Sequence, residues 1–298
     1  MDKNKILLIK RPTIVVLFLS LVTIFSSFLI VNDNSKEDFN LTKESNLSKG
    51  SKNFLIYDGI LYKKPDLGKY GLRKINVIYE DSLLDKGKIN YTKLDNEIQK
   101  AKKNSDLICL DIESWDLRDE KYKENGKKYI YILNYFKQRL PGRKIGYYGM
   151  LPYRDAYLYN QRSGANSIKR INYVDQWEKM NNNLNFITQA QDIAFPSFYT
   201  RNKSMELWTW VTQKQIAKLK AINPDIPVYG FIWPQYWNKE FISGSDWAYQ
   251  LEVLYKICDG VVIWNPPFNI DDRKTIQWDS QREWWKETLK FIKRHNIS

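Results

Sequence analysis

Two patterns predict an α/β chain built as a (β/α) TIM-type barrel of seven or eight strands. From Asn53 onward, short apolar, β-rich runs alternate with helical stretches, as in repeated β/α units on a parallel sheet. Most of those runs end in polar or aromatic residues, and in barrels of this kind the C-terminal strand ends converge on the site. Length agrees, since about 250 residues follow the first fifty and no Pro/Gly/Ser linker, charge block or internal repeat divides them.

The N-terminus is read separately. Lys3, Lys5, Lys10 and Arg11 precede an uncharged run of 19 residues, Thr13 to Val31, about enough to cross a bilayer. Flanking positive charge directs the N-terminus to the cytoplasm and the rest outside. The run ends Phe28-Leu29-Ile30-Val31 without an A-x-A cleavage pattern, which favours an uncleaved signal anchor over a signal peptide. Residues 32–52, rich in Asn, Ser, Lys and Glu, read as a disordered tether, and 53–298 as the folded domain. The expected localisation is therefore exported and membrane-anchored, or secreted if the segment is cleaved.

Within the domain the strand candidates are Phe54 to Tyr57, Ile75 to Tyr79, Leu107 to Ile112, Lys144 to Tyr148, Ile193 to Phe198, Val228 to Trp233 and Gly260 to Trp264. Helices are expected at Tyr91 to Asn104, Lys123 to Leu140, Met205 to Ile222, Asp246 to Ile257 and Ser280 to Arg294. Thr92 is a candidate N-cap for the first, and Asp246 stands near the start of the fourth.

Composition narrows the chemistry. The formal charge is +13; residues 1 to 50 carry seven Lys/Arg and five Asp/Glu, so residues 51–298 keep 40 basic and 29 acidic side chains, a formal +11. Such a surface attracts polyanions, whether nucleic acid, anionic lipid or acidic polysaccharide, or is simply a solvated Lys-rich surface. The single histidine, His295, closes a Lys/Arg-rich helix at the C-terminus, which argues against Ser-His-Asp and Cys-His triads and against multi-histidine metal sites. Neither a glycine loop for phosphate nor a CxxC pair is present, and nothing calls for a metal or organic cofactor. Cys109 and Cys258 fall in or beside core strands and read as buried free thiols, with one bridge as the alternative.

Carboxylates and aromatics are what remain. Asp111 and Glu113 end an apolar run at i and i+2, a spacing that projects both from one face of a strand. Two close carboxylates resist joint ionisation, and burial near Trp115 adds to the cost, so one can serve as a general acid near neutrality. The competing reading is a strand end whose acids bind backbone amides or a lysine. Eleven Trp and twenty Tyr supply rings on which sugar C–H faces stack, and aromatic or polar residues recur at strand ends: Tyr57-Asp58, Tyr79-Glu80-Asp81, Tyr147-Tyr148, Tyr199, Trp233 with Gln235-Tyr236, and Trp264-Asn265. Single-stranded nucleic acid also stacks on aromatics in basic grooves, but export and paired carboxylates favour the sugar.

Taken in order, Leu110-Asp111-Ile112-Glu113-Ser114-Trp115, Ile145-Gly146-Tyr147-Tyr148-Gly149, Phe195-Pro196-Ser197-Phe198-Tyr199 and Gly260-Val261-Val262-Ile263-Trp264 resemble the hyaluronidase family, glycoside hydrolase family 56. A weaker likeness lies at Val77-Ile78-Tyr79 and Asn90-Tyr91-Thr92-Lys93-Leu94, and the whole spans roughly residues 53 to 295. The resemblance implies a distorted barrel that hydrolyses β-linked polysaccharide containing N-acetylhexosamine. It assigns Glu113 as proton donor and Asp111 as the group that orients the substrate acetamide, whose oxygen attacks the anomeric carbon with net retention. It places Tyr148 and Tyr199 beside the acetamide and Trp264 beneath the sugar. Substrate-assisted chemistry of this kind needs no enzyme nucleophile. The animal-type disulfides and cysteine-rich C-terminal extension of the family are absent, and residues 152–185 differ in loop composition.

The leading expectation is thus a retaining glycosidase with a polysaccharide partner, anionic by the charge of the domain, such as hyaluronan or chondroitin. N-acetylglucosamine polymers of a cell wall or biofilm are the other substrate class. The rival from a different class is a non-catalytic saccharide-binding barrel; a nucleic-acid binder is disfavoured by the even scatter of Lys and Arg. Trp115, Tyr147, Tyr57, Asp58, Tyr79, Trp233, Gln235, Tyr236 and Asn265 are expected to line the subsites.

Overall fold

The computed structural model describes residues 52–104, 107–150, 152–153, 155–162, 172–237, 240–269 and 273–297. The expected membrane segment at 13–31 and the tether up to residue 51 lie outside the described residues. Among the described residues no helix is long and apolar enough to cross a membrane.

Nine strands are described: β1 (Leu55–Ile60), β2 (Arg73–Lys74), β3 (Asn76–Tyr79), β4 (Leu84–Asp85), β5 (Lys88–Ile89), β6 (Leu107–Asp111), β7 (Lys144–Tyr147), β8 (Tyr229–Ile232) and β9 (Gly260–Asn265). They form two parallel sheets, ordered β2-β1-β9-β8 and β3-β6-β7, and an antiparallel β4-β5 hairpin. The strands Leu-Ile-Cys-Leu-Asp of β6 and Gly-Val-Val-Ile-Trp-Asn of β9 are almost wholly buried, as unbroken apolar runs in a parallel sheet covered on both faces must be. The described helices are α1 (Tyr91–Asn104), α2 (Lys121–Arg139), α3 (Ala156–Arg162), α4 (Tyr173–Asn183), α5 (Asn185–Ala190), α6 (Met205–Ile222), α7 (Gly244–Ile257) and α8 (Glu283–His295); from β5 onward α1 to α7 separate successive strands, with α3 to α6 together between β7 and β8. In α8, Trp284, Trp285, Thr288 and Phe291 make one buried stripe, and Thr288 Oγ1 accepts a bond of 2.9 Å from the Trp247 indole of α7.

The ladders do not close into one barrel, which corrects the expectation of seven or eight regular strands. One break falls at Ile75, where β2, paired to β1, passes directly into β3, paired to β6. The other falls at the expected strand Ile193 to Phe198, where only single parallel bridges form: Tyr148 with Phe195, Ala194 with Val228, and Ser197 with Phe231. Pro196 has no N–H to give a ladder. Side chains of α6 supply part of what the ladder lacks: Trp208 Nε1 donates to the Phe198 carbonyl at 2.9 Å and Gln215 Nε2 to that of Ser197 at 3.2 Å. Glycines let the segment fit. A Cβ at Gly146 would lie 2.1 Å from Ile193 O, and one at Gly230 would lie 2.2 Å from Phe198 Cδ2.

One cap differs from expectation, and Asp246 stands near the start of its helix as expected. Asn90, not Thr92, caps α1, accepting the Lys93 amide at 3.1 Å, because the helix begins two residues earlier than a Thr92 cap requires. Ser243 caps α7 by accepting from the Asp246 amide, leaving Asp246 in the first turn. Helices α3, α4 and α5 were not among the expected helices; α3 and α4 fall within residues 152–185, where the loop composition differs from the family, and α5 follows directly. Cys109 and Cys258 are both buried and free.

Candidate active site

Strand β6 delivers Asp111 to its C-terminal end, opposite Tyr79 in the register. There the chain leaves the sheet, so Glu113 reaches the same cleft from the following loop and not from the strand. The loop is held on three sides. Tyr129 of α2 donates its hydroxyl to the Ile112 carbonyl at 2.8 Å, Trp115 Nε1 donates to Gly87 O at 2.9 Å, and Glu80 Oε2 accepts the Glu113 and Ser114 amides at 3.0 Å each. Gly87, with φ of 76°, makes the tight β4-β5 turn that presents this carbonyl.

The cleft has a volume of about 250 Å³ and brings together Asp111, Glu113, Tyr148, Tyr199, Trp233 and Trp264, all anticipated, with Val77, Arg201, Phe231 and Trp237, which were not. Two further hollows share its residues. One of about 480 Å³ holds Tyr79, Glu80, Asp81, Asp111 and Glu113, and one of about 360 Å³ holds Glu113, Tyr148, Ser197, Asp155 and Arg201. Trp264 stacks on Tyr199 with ring centroids 5.6 Å apart at 22°, meets Trp233 edge-on at 6.0 Å, and donates its indole N–H to the Tyr79 hydroxyl at 3.1 Å. Tyr148 donates to Ser197 Oγ at 3.3 Å. Burial pushes the hydroxyls of Tyr148 and Tyr199 up, so both stay protonated and able to donate.

Electrostatically the weight falls on Asp111. Burial first, then the nearby charges of Glu113 and Glu80, push its carboxyl up to about 7. Its Oδ1 is buried without a hydrogen-bond partner. Glu113 is exposed at the cleft mouth, and Trp115, expected to bury it, instead packs edge-on against Tyr129 at 5.3 Å. The burial penalty predicted for Glu113 is therefore carried by its neighbour.

Several expected lining residues serve the core. Tyr147 turns inward and donates to the Tyr129 carbonyl at 2.9 Å, because alternate residues of β7 face opposite ways and Tyr148 takes the cleft side. Tyr57 packs edge-on against Tyr229 at 5.4 Å, and Asp58 pairs with Lys64 at 3.2 Å while accepting the Ile60 amide. Gln235 and Asn265 are fully buried behind the cleft, where their side-chain oxygens accept from Trp233 Nε1 at 3.1 and 3.3 Å. Tyr236 is bound through its hydroxyl to Asp246. Tyr79 lies in the adjoining hollow. His295 sits 3.1 Å from both carboxylate oxygens of Glu252, on the helical shell.

Glu80 belongs to the strand-end run Tyr79-Glu80-Asp81 that the sequence marks, although only Tyr79 of that run was expected to line the site. Trp237 and Arg201 lie in loops, where no periodicity marks them. Arg201 donates to both oxygens of Asp155, at 2.9 and 2.8 Å, and its guanidinium covers the Trp237 ring at 4.4 Å. Among the described residues no cluster of His, Cys, Asp or Glu is arranged to hold a metal ion.

No protein-family model matches the chain, and no curated protein matches it. Solved structures do. Bee venom hyaluronidase aligns with a TM-score of 0.51 at 14% identity, covering 82% of this chain and 97% of that one. The same enzyme in complex with a hyaluronic acid tetramer aligns at 0.51 and 15%, covering 82% and 96%. A psychrophilic glycoside hydrolase family 10 endo-β-1,4-xylanase gives 0.47 at 14%, covering 82% and 83%. At such identity the likeness is one of fold: over most of its length the chain shares the α/β architecture of bee venom hyaluronidase.

Proposed function

We propose that the protein is a retaining glycoside hydrolase, related to the hyaluronidase family, that cleaves β-linked polysaccharide containing N-acetylhexosamine. The two sheets and the bridging segment 193–198 are read as one interrupted barrel with its cleft at the C-terminal strand ends. The observation that carries the proposal is the meeting of Asp111 and Glu113 in a cleft walled by Tyr148, Tyr199 and Trp264. Burial and the neighbouring carboxylates of Glu113 and Glu80 keep Asp111 protonated below about pH 7, so the site retains a proton there.

Glu113, at the open side, delivers that proton to the glycosidic oxygen as the bond to the anomeric carbon breaks. The acetamide oxygen of the same sugar attacks that carbon, giving a cyclic cation whose N–H faces Asp111. Asp111, ionised as its proton is drawn away, stabilises the new positive charge. Glu113, now a carboxylate, takes a proton from the water that opens the ring and restores the configuration. Tyr148 and Tyr199 offer neutral hydroxyls for the acetamide oxygen, and the Trp264 face supports the sugar. For localisation, we propose that residues 13–31 tether the domain outside the cytoplasm.

The test is reducing-end release from hyaluronan, chondroitin, chitin oligomers and peptidoglycan, with Glu113→Gln beside the wild type. Release that falls by about a hundredfold or more in the variant identifies the hydrolase and its polymer. Tight binding without release, equal in both proteins, replaces the proposal with a saccharide-binding barrel.

A further inference from the structure

The loop that carries Glu113 is not held by the sheet, so its position depends on what replaces the ladder. Tyr129 and Gly87 hold its two flanks through neutral bonds. At the centre, two consecutive amides, of Glu113 and Ser114, converge on the single oxygen Oε2 of Glu80, each at 3.0 Å. Paired backbone N–H groups on one carboxylate make a charge-assisted clamp, stronger and more directional than a neutral bond. Glu80 itself is fixed from behind: the 3-10 turn Glu80–Ser82 and the start of β4 are tied to α1 by Lys93, whose Nζ donates to Asp81 O at 2.9 Å and Leu84 O at 2.6 Å.

We propose that Glu80 is the positioning residue of the acid: its carboxylate clamps the 113–114 backbone and thereby sets where the Glu113 side chain enters the cleft. The role rests on the reading of Glu113 as proton donor. Glu80 has a second consequence, because it lines the same hollow as Asp111 and Glu113 and its charge is one of those opposing ionisation of Asp111. The titratable groups around Asp111 are Tyr79 from β3, Glu80, Cys109 on its own strand, Glu113, Tyr129 from α2, Tyr148 beyond β7, and Tyr199. The four hydroxyls and the thiol are raised by burial and stay neutral near pH 7. The cation in the cleft, Arg201, is engaged by Asp155. Glu80 and Glu113 are therefore the charges that the Asp111 proton feels most.

Two variants of the full chain separate clamp from charge. Glu80→Gln retains a carbonyl oxygen that accepts both amides but removes the charge; Glu80→Ala removes both. On the polymer that the wild type cleaves, Glu80→Ala is expected to lower kcat by about thirtyfold or more with KM within about threefold, since a displaced acid costs transition-state stabilisation and not binding. Glu80→Gln is expected to keep kcat within about fivefold at its optimum while the alkaline limb of its pH profile moves down by about half a unit. A readout free of turnover accompanies them: the carboxyl-carbon NMR titration of Asp111, assigned by its loss in Asp111→Asn, should move to lower pH in Glu80→Gln. Wild-type kcat in Glu80→Ala, or a limb and titration unmoved in Glu80→Gln, overturns the proposal. If Glu80→Ala fails to fold, the Glu80→Gln limb and titration decide. Wild-type turnover by Glu113→Gln instead removes the reading of Glu113 as proton donor, and the titration still judges Glu80.

Discussion

Replacing Asp111 by asparagine should make the protein more stable at alkaline pH than the wild type, and the gain should vanish in acid. Burial, with Glu113 and Glu80 adding repulsion, raises the folded-state carboxyl from 3.8 to about 7. Between those values the native state holds a proton that the unfolded chain has released. The contribution of this group is therefore complete below about pH 3.8 and is lost as pH rises through about 7. At roughly 1.36 kcal/mol per unit, the loss between about pH 5 and about pH 8 is about 3 kcal/mol in the wild type and zero at this position in Asp111→Asn. For a domain of this size each kcal/mol moves Tm by roughly 2–4 °C, so the gap between variant and wild type should widen by about 6–12 °C from pH 5 to pH 8. Thermal melts at both pH values measure it. A gap that stays constant would refute the claim that Asp111 carries a buried, repelled charge. The same variant should lose activity, which is the trade expected where a strained group is functional.

Trp264→Ala removes the ring stacked on Tyr199 and should weaken oligosaccharide binding about tenfold, or roughly 1.4 kcal/mol, when titrated calorimetrically in the Glu113→Gln background; unchanged affinity would show that Trp264 only packs. Gly146→Ala places a Cβ against the Ile193 carbonyl 2.1 Å away, a backbone contact that cannot be relieved by a rotamer change. It should cost about 2 kcal/mol or more and lower Tm by roughly 4–8 °C, and a variant as stable as the wild type would contradict the close approach of segment 193–195.

Much of the site was legible because strand periodicity fixes which way a side chain points. Asp111, Tyr148, Tyr199 and Trp264 all follow apolar runs, and they converge because parallel strands place their C-terminal ends together. The same rule fails by one residue at Tyr147: adjacent tyrosines share a motif, but the pleat sends one to the core and the other to the cleft. It fails differently at Tyr57, Asp58, Gln235 and Asn265, where being near a strand end does not say whether a neighbour already occupies the side chain. Trp237 and Arg201 were invisible because loop positions depend on tertiary contacts. The barrel closure was overcalled for a related reason, since Pro196 reads as one residue in an apolar run yet removes the amide that a regular ladder needs.

The charge of the molecule and the charge of its cleft have opposite signs. Residues 51–298 carry a formal +11, yet the described residues lining the three connected hollows include Glu80, Asp81, Asp111, Glu113 and Asp155 against one cation, Arg201. That cation gives both of its bonds to Asp155 and lays its face on Trp237. A bidentate guanidinium already neutralised by a buried carboxylate gains little from a second anion, because taking one would strand the first. Long-range attraction of a polyanion by the basic surface and short-range recognition in the cleft are thus separate effects, the first screened by salt within about 10 Å at 0.1 M and the second nearly insensitive to it. On the proposed function, stacking on Trp264 and neutral hydroxyls would select the sugar at the carboxylates, which suits an uncharged N-acetylhexosamine ring whatever the charge of the residues farther along the polymer.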